Sequence, residues 1–164
     1  MQSRGRKTAF LALSVTLGLI LSYVEALIPV FAGVPGIKPG LSNILVVFLL
    51  YRYGLKEAVS VNLLRILIAG ILFGNPFSIV YSLSGAAFAI IGMTLIKKTG
   101  LFSVYGVSMA GGMLHNAGQI ILAAFIVVNY NIVLYLPVLI VAGCVTGFFV
   151  GMVGAVLLDR VRLG

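Results

Sequence analysis

Six apolar segments separated by short polar breaks dominate this sequence and leave few folds open to it. They cover roughly residues 9–28, 40–53, 57–73, 77–96, 103–128 and 132–158. Most approach the roughly 20 apolar residues that a helix needs to cross a bilayer. Because 62% of the residues are apolar and only 9% are charged, the chain does not have the composition of a soluble domain. We therefore predict an all-α fold, a single membrane domain over residues 1–164 that forms a bundle of six transmembrane helices.

The basic residues favour one orientation of this bundle. If the segments alternate across the membrane, Arg65 lies inside it, Lys38 lies in a loop on one side, and nine of the 11 Lys and Arg residues lie on the other. These nine are Arg4, Arg6, Lys7, Arg52, Lys56, Lys97, Lys98, Arg160 and Arg162. Such a bias marks the cytoplasmic side, so both termini are predicted to be cytoplasmic. The net charge of +8 follows from this topology and does not indicate nucleic-acid binding.

The second segment, residues 40–53, is short for a span. The alternative is a re-entrant hairpin made of segments two and three. That hairpin would place Arg52, Lys56 and Glu57 at membrane depth, which is costly. We therefore predict that the second segment spans the membrane. Asn75 followed by Pro76 predicts the N-cap of the fourth helix.

Arg65 lies near the middle of the third segment, about 12 Å from either interface. A cation at that depth costs about 2.5 to 3.5 kcal/mol on insertion scales, so it should face the bundle interior and have a partner. The chain has only three acidic residues, and Glu57 and Asp159 lie at helix ends on the cytoplasmic side. Glu25 is therefore the predicted partner. The pair is either a structural ion pair or part of a ligand site.

Other polar side chains fall in the outer half of the predicted bundle. His115 and Gln119 are one turn apart on the same face of segment five, and the glycines at 111 and 112 suggest a break in that helix. Each polar residue also has a structural interpretation, because amides in membranes commonly bridge helices. An Arg with a nearby Lys favours a ligand with an anionic or carbonyl group. We predict an outward-facing cavity with these substrate-binding residues: Glu25, Asn43, Arg65, His115, Asn116 and Gln119, with Lys38 and Asn75 at the rim.

Small residues recur at every fourth position on the first and last segments. Such rows let helix backbones approach closely in lipid. They indicate either packing within the chain or an interface with another membrane subunit. The predicted partner interface consists of Ser14, Gly18, Ser22, Gly143, Gly147 and Gly151.

Sequence patterns of catalysis are missing. The chain has no Walker A loop, no HExxH motif and no Gly-rich dinucleotide turn. The single Cys144 and the single His115 do not make a zinc site. One Asp cannot build an aspartate-rich magnesium diphosphate site. We predict that the protein is not an enzyme and that it uses no cofactor and no metal.

Five motifs together resemble a known bacterial membrane family. They are GIKPGLSNI at 36–44, YGLKEA at 53–58, LRI at 64–66, LFGNP at 72–76 and HNAGQ at 115–119. Over residues 11–158 the chain resembles the Gx transporter family, also labelled heptaprenyl diphosphate synthase component I. That family is similar to the substrate-binding S components of energy-coupling factor transporters.

The resemblance implies a multi-pass protein of the bacterial inner membrane, surrounded by lipid, that captures a small organic solute such as a vitamin or cofactor precursor. It also implies a transmembrane coupling subunit, served by cytoplasmic ATPases, that contacts the row from Ser14 to Ser22. The synthase label implies the alternative, a non-catalytic accessory subunit of isoprenoid or quinone metabolism. A cavity open to the exterior favours solute capture, whereas an opening near Lys97 at the cytoplasmic leaflet favours an isoprenoid diphosphate.

Overall fold

The computed structural model describes residues 4–27 and 40–161, and in this part of the chain it contains helices and no strand. The elements are α1 (Arg4–Leu27), α2 (Asn43–Arg52), α3 (Leu55–Phe73), α4 (Pro76–Thr99), α5 (Val104–Val127), a 3-10 helix (Tyr130–Tyr135) and α6 (Leu136–Arg160). The predicted all-α class is confirmed. Lys38 lies outside the described residues.

Four stretches are long and apolar enough to cross a membrane by length and composition: α1, α4, α5, and the 3-10 helix together with α6. Helix α3 has 19 residues and includes Lys56, Glu57 and Arg65. Helix α2 has only ten residues, which is about 15 Å and half the thickness of a bilayer core. It starts at Asn43, later than the sequence suggests, because Gly40 has a φ of +73° and residues 41–42 form a turn.

Helix α2 lies at the centre of the bundle. Six consecutive residues from Leu45 to Leu50 are each at most 6% exposed, so the helix is buried on every face. A helix that is apolar all round is expected in such an interior position. It packs against α3 and α6, which are its main helix neighbours among the described residues. The short length of α2 is therefore compatible with a membrane protein, because other helices separate it from lipid.

Basic side chains gather at one end of the bundle, which we call the basic end. There Lys7 Nζ lies 2.6 Å from Glu57 Oε1, joining the starts of α1 and α3. Lys97 Nζ donates a hydrogen bond of 2.6 Å to the carbonyl of Leu50 and lies 4.6 Å from the centre of the Tyr51 ring. The basic end contains every described basic residue except Arg65: Arg4, Arg6, Lys7, Arg52, Lys56, Lys97, Lys98 and Arg160.

The turn between α3 and α4 lies at the opposite end. Asn75 Oδ1 accepts a hydrogen bond of 2.8 Å from the Ser78 amide, and Ser78 Oγ accepts one of 3.0 Å from the Asn75 amide. Pro76 occupies the first position of the helix. This reciprocal pattern is a capping box, and it confirms the predicted N-cap at Asn75.

The glycine row on α6 packs against the backbone of α5. A Cβ atom on Gly143 would lie 2.5 Å from the carbonyl oxygen of Gly112, and one on Gly147 would lie 2.7 Å from that of Ser108. Gly151 makes a similar approach to the Cα of Tyr105, at 3.0 Å. The two helices are thus in backbone contact along this row, as small residues permit. Packing within the chain accounts for the α6 row, and its role as a partner interface stays a prediction.

The small-residue row on α1 also faces inward. Ser14 and Gly18 are buried, and a Cβ atom on Gly18 would lie 3.0 Å from Cδ of Arg65. Ser22, one turn later, accepts a hydrogen bond from Arg65. The row therefore accommodates a side chain of α3. Packing within the chain accounts for this row, and its role as a partner interface stays a prediction.

The expected break in segment five is absent, because α5 is a continuous helix from Val104 to Val127. Its two adjacent glycines serve close packing on opposite neighbours. A Cβ atom on Gly111 would lie 2.6 Å from Sδ of Met93 on α4, whereas Gly112 faces Gly143 on α6. Two adjacent glycines can therefore serve helix packing without interrupting the helix. The glycine pair alone does not predict a break.

Candidate functional site

A cavity of about 300 Å³ lies between the helices, toward the α3–α4 turn and away from the basic end. All six helices contribute to its wall. Seven of the eight predicted binding residues line it, and the eighth, Lys38, lies outside the described residues. The polar residues of the wall are Ser22, Glu25, Ser42, Asn43, Arg65, Asn75, Ser78, Ser82, His115, Asn116, Gln119 and Thr146.

Arg65 lies in the wall of this cavity and is only 9% exposed. Its Nε and Nη2 atoms both donate to Oδ1 of Asn62, at 3.1 and 2.6 Å. Its Nη1 atom donates to Oγ of Ser22 at 3.1 Å and to Oγ of Ser42 at 2.8 Å. Hydrogen bonds of this charge-assisted kind offset the cost of burying a guanidinium. The prediction that Arg65 faces the bundle interior is confirmed.

The prediction that Arg65 pairs directly with Glu25 is wrong. Ser42 lies between them: its Oγ atom accepts from Arg65 and donates to Glu25 Oε2 at 3.1 Å. The guanidinium is already held by Asn62 and two serines, so the carboxylate interacts with it through a hydroxyl group. Glu25 Oε1 is buried and has no hydrogen-bond partner in the part of the chain that the structure describes.

Three members of this network were not among the predicted binding residues: Ser22, Ser42 and Asn62. Spacing on a helix offers a signal for two of them. Asn62 precedes Arg65 by three residues, and Ser22 precedes Glu25 by three, which places each on the same helix face as its charged neighbour. Ser42 carries no comparable signal, because it belongs to the turn before α2 and reaches Arg65 only through the tertiary fold.

His115 and Gln119 form a second part of the wall on α5. A Cβ atom on Gly85 of α4 would lie 2.9 Å from His115 Nε2 and 2.8 Å from Gln119 Cγ. The missing side chain at Gly85 therefore makes room for both residues. Asn116 Nδ2 donates a hydrogen bond of 2.7 Å to the carbonyl of Leu139, so this amide links α5 to α6 as well as lining the cavity.

A smaller cavity of about 20 Å³ adjoins the first and shares Gly40, Asn43, Gly112 and Thr146 with it. Its wall also includes Ser108, which is 2% exposed and whose Oγ atom has no hydrogen-bond partner. A polar space above about 15 Å³ can hold one water. The small cavity has a mostly apolar wall with three polar side chains, those of Asn43, Ser108 and Thr146, and extends the large cavity toward the centre of the bundle.

The chemistry of the wall suits binding. Its donors and acceptors are amides, hydroxyls, one imidazole and one guanidinium–carboxylate network, groups that fix the orientation of a small molecule. Within residues 4–27 and 40–161, no group of three His, Cys, Asp or Glu side chains lies close enough to hold a metal ion.

Comparison with known proteins gives one match. The family model described as heptaprenyl diphosphate synthase component I matches residues 14–157. No curated protein and no solved structure matches the chain. The matched range contains every described residue that lines the large cavity.

Proposed function

This chain belongs to the heptaprenyl diphosphate synthase component I family, and we propose that it is an integral membrane protein that captures a small organic solute and passes it inward with partner subunits. The observation that supports this most is the polar cavity around Arg65, at the end of the bundle away from the basic residues. A buried cation beside such a space is by default a candidate for function.

The proposed topology has six crossings with both termini in the cytoplasm. The basic end is cytoplasmic by the positive-inside rule, which places the cavity toward the exterior. Helix α2 supplies the half of the second crossing next to the basic end, because it runs from Asn43, which follows Ser42 in the network of Arg65, to Arg52. Exposed apolar side chains such as Leu13 and Ile71, at 64% and 76%, face membrane lipid.

The cavity volume bounds the solute. At about 300 Å³ it lies at the lower end of the 300 to 1,000 Å³ typical of small-molecule sites. Asn43, His115, Asn116 and Gln119 would orient the solute by hydrogen bonds, and Asn75 would lie at the rim. We assign no catalytic step to this chain, and we propose that inward transfer depends on other subunits, in keeping with the family's description as a component.

The family description favours one alternative, an accessory subunit of isoprenoid metabolism. A diphosphate group is recognised by several cations with free donors. The cavity wall contains one described Arg or Lys, and four of the five N–H groups of Arg65 are already bonded within the protein. The cavity also lies away from Lys97 and the rest of the basic end. These observations support solute capture over diphosphate binding.

Native mass spectrometry of the purified protein tests the proposal. We expect wild-type protein to retain a small organic molecule and Ser82→Phe, which fills the cavity, to lose it. Ser60→Phe is the matched control, because Ser60 is exposed on α3, and we expect it to retain the molecule. Retention of the same molecule by Ser82→Phe would contradict the proposal, and an isoprenoid diphosphate as the retained molecule would support the alternative.

A further inference from the structure

Glu25 has a carboxylate oxygen to which no described residue donates a hydrogen bond. The residue lines the cavity and is 91% buried, since its exposure is 9%. Oε2 accepts from Ser42, but Oε1 is buried and accepts from no residue within 4–27 and 40–161. An unsatisfied buried oxygen costs free energy, and more so when the group is charged. Because Oε1 is closed off from water, a ligand in the cavity reaches it only after the carboxylate turns toward that space, and a hydrogen-bond donor on the ligand would then remove this cost.

Arg65 is a poor clamp for an anion in this arrangement. A guanidinium has five N–H groups, and recognition of a carboxylate or phosphate commonly uses two of them in parallel. Four of the five donate to Asn62, Ser22 and Ser42. A single N–H on Nη2 remains, so Arg65 can contribute one further hydrogen bond and cannot form the two-pronged contact.

The described charged side chains in the wall of the large cavity are one acidic and one basic residue, so their charges balance. Among the described residues, the acidic and basic side chains that line the large cavity are Glu25 and Arg65, and Ser42 links them. An anion would gain one N–H from Arg65 and would meet the carboxylate of Glu25 at short range. An uncharged ligand avoids this repulsion and the desolvation of a second charge.

We propose that the solute is an uncharged molecule with an N–H group next to a carbonyl, as in an imide, a ureide or a lactam, and that its N–H donates to Glu25 Oε1. The side-chain amides of Asn43 and Gln119 and the remaining N–H of Arg65 are donors suited to the carbonyl. The inference rests on the proposed function and narrows its substrate class. It also replaces the anionic ligand that an Arg near a Lys suggests from sequence.

Three small probes test the class on wild-type protein: succinimide, N-methylsuccinimide, which lacks the N–H, and succinate, which is an anion. Affinities are measured by NMR titration of the detergent-purified protein. We expect succinimide to bind at least about tenfold more tightly than either of the others, the usual effect of one charge-assisted hydrogen bond. Succinate as the tightest of the three would overturn the proposal, and so would equal affinity for succinimide and its N-methyl derivative.

The variant Glu25→Gln tests the assigned residue. It removes the charge while keeping the size of the side chain, and we expect it to weaken succinimide about tenfold and to leave N-methylsuccinimide unchanged. Glu57→Gln, at the basic end, is the control and should change neither. Unchanged succinimide affinity in Glu25→Gln would contradict the role of Glu25.

The experiments distinguish failure of the proposed substrate class from failure of solute capture. If the wild-type protein retains a small molecule that Ser82→Phe loses, but succinimide fails to bind more tightly than succinate, then the substrate class is wrong and solute capture stands. If Ser82→Phe retains the molecule, solute capture itself fails, whatever the probes show.

Discussion

Replacing Arg65 by Met should lower the free energy of unfolding by about 3 to 5 kcal/mol, the usual cost of removing one member of a buried charged network. Methionine fills much of the same space but cannot donate hydrogen bonds. Asn62 Oδ1 would lose two donors, and Ser22 and Ser42 would lose one each. Glu25 would be left as a buried carboxylate with no cation beside it among residues 4–27 and 40–161. Unfolding by denaturing detergent, followed by circular dichroism, measures the change.

Two further variants identify the cause. Lys56→Met removes an exposed cation from the start of the same helix and should change stability by no more than about 0.5 kcal/mol. Adding Glu25→Gln to Arg65→Met removes the uncompensated charge and should restore part of the lost stability, because the two sites share one network. Wild-type stability in Arg65→Met, or no recovery in the double variant, would show that the network contributes little to the fold.

Replacing Gly143 by Leu should also have a large effect, a loss of at least about 3 kcal/mol, above the common range for overpacking. The obstacle is the main chain of α5, since a Cβ atom would lie 2.5 Å from the Gly112 carbonyl oxygen and 2.9 Å from the Met113 amide nitrogen. A backbone cannot rotate away as a side chain can, so the two helices would have to separate. The same denaturation experiment measures the effect.

Gly5→Leu is the matched control, because a Cβ atom on Gly5 of α1 would have no neighbour within 4 Å. It should leave stability unchanged or raise it slightly, since Leu favours helix more than Gly does. If Gly143→Leu behaved like Gly5→Leu, close backbone contact between α5 and α6 would not be a feature of the folded protein.

Hydropathy and turn residues predict the helices of this fold well. Each of the six apolar segments corresponds to one α-helix, and Asn75 with Pro76 predicts the start of α4 to the residue. The least successful prediction is the second segment, whose helix has ten residues. This segment is apolar throughout because its helix is buried on every face. A helix in the protein core and a helix that faces lipid can both be apolar throughout, so the periodicity of the sequence does not distinguish them.

The sequence predicts most of the polar residues that line the candidate site, but it does not predict the hydrogen bonds between them. Polar residues are rare enough in the apolar segments that most of them had to meet in the interior, as Arg65, His115 and Gln119 do. Which atom bonds to which depends on tertiary packing. Ser42 links Arg65 to Glu25 because the turn before α2 lies between α1 and α3. Residue spacing in the sequence does not predict this position of the turn.

The small-residue rows show the same limit. A glycine at every fourth residue predicts that another helix or a side chain packs closely against that face, but the spacing does not identify which one. On α6 the neighbour is the backbone of α5, and at Gly18 it is the side chain of Arg65. Both neighbours lie within the chain.

Labelling of engineered cysteines in intact cells tests whether the cavity around Arg65 is open to the exterior. In a Cys144→Ser background, which has no other thiol, Ser82→Cys places one in the cavity wall and Lys98→Cys places one at the basic end. With a small membrane-impermeant methanethiosulfonate reagent, we expect Ser82→Cys to react in intact cells and Lys98→Cys to react only after permeabilisation. The reverse pattern would contradict the account.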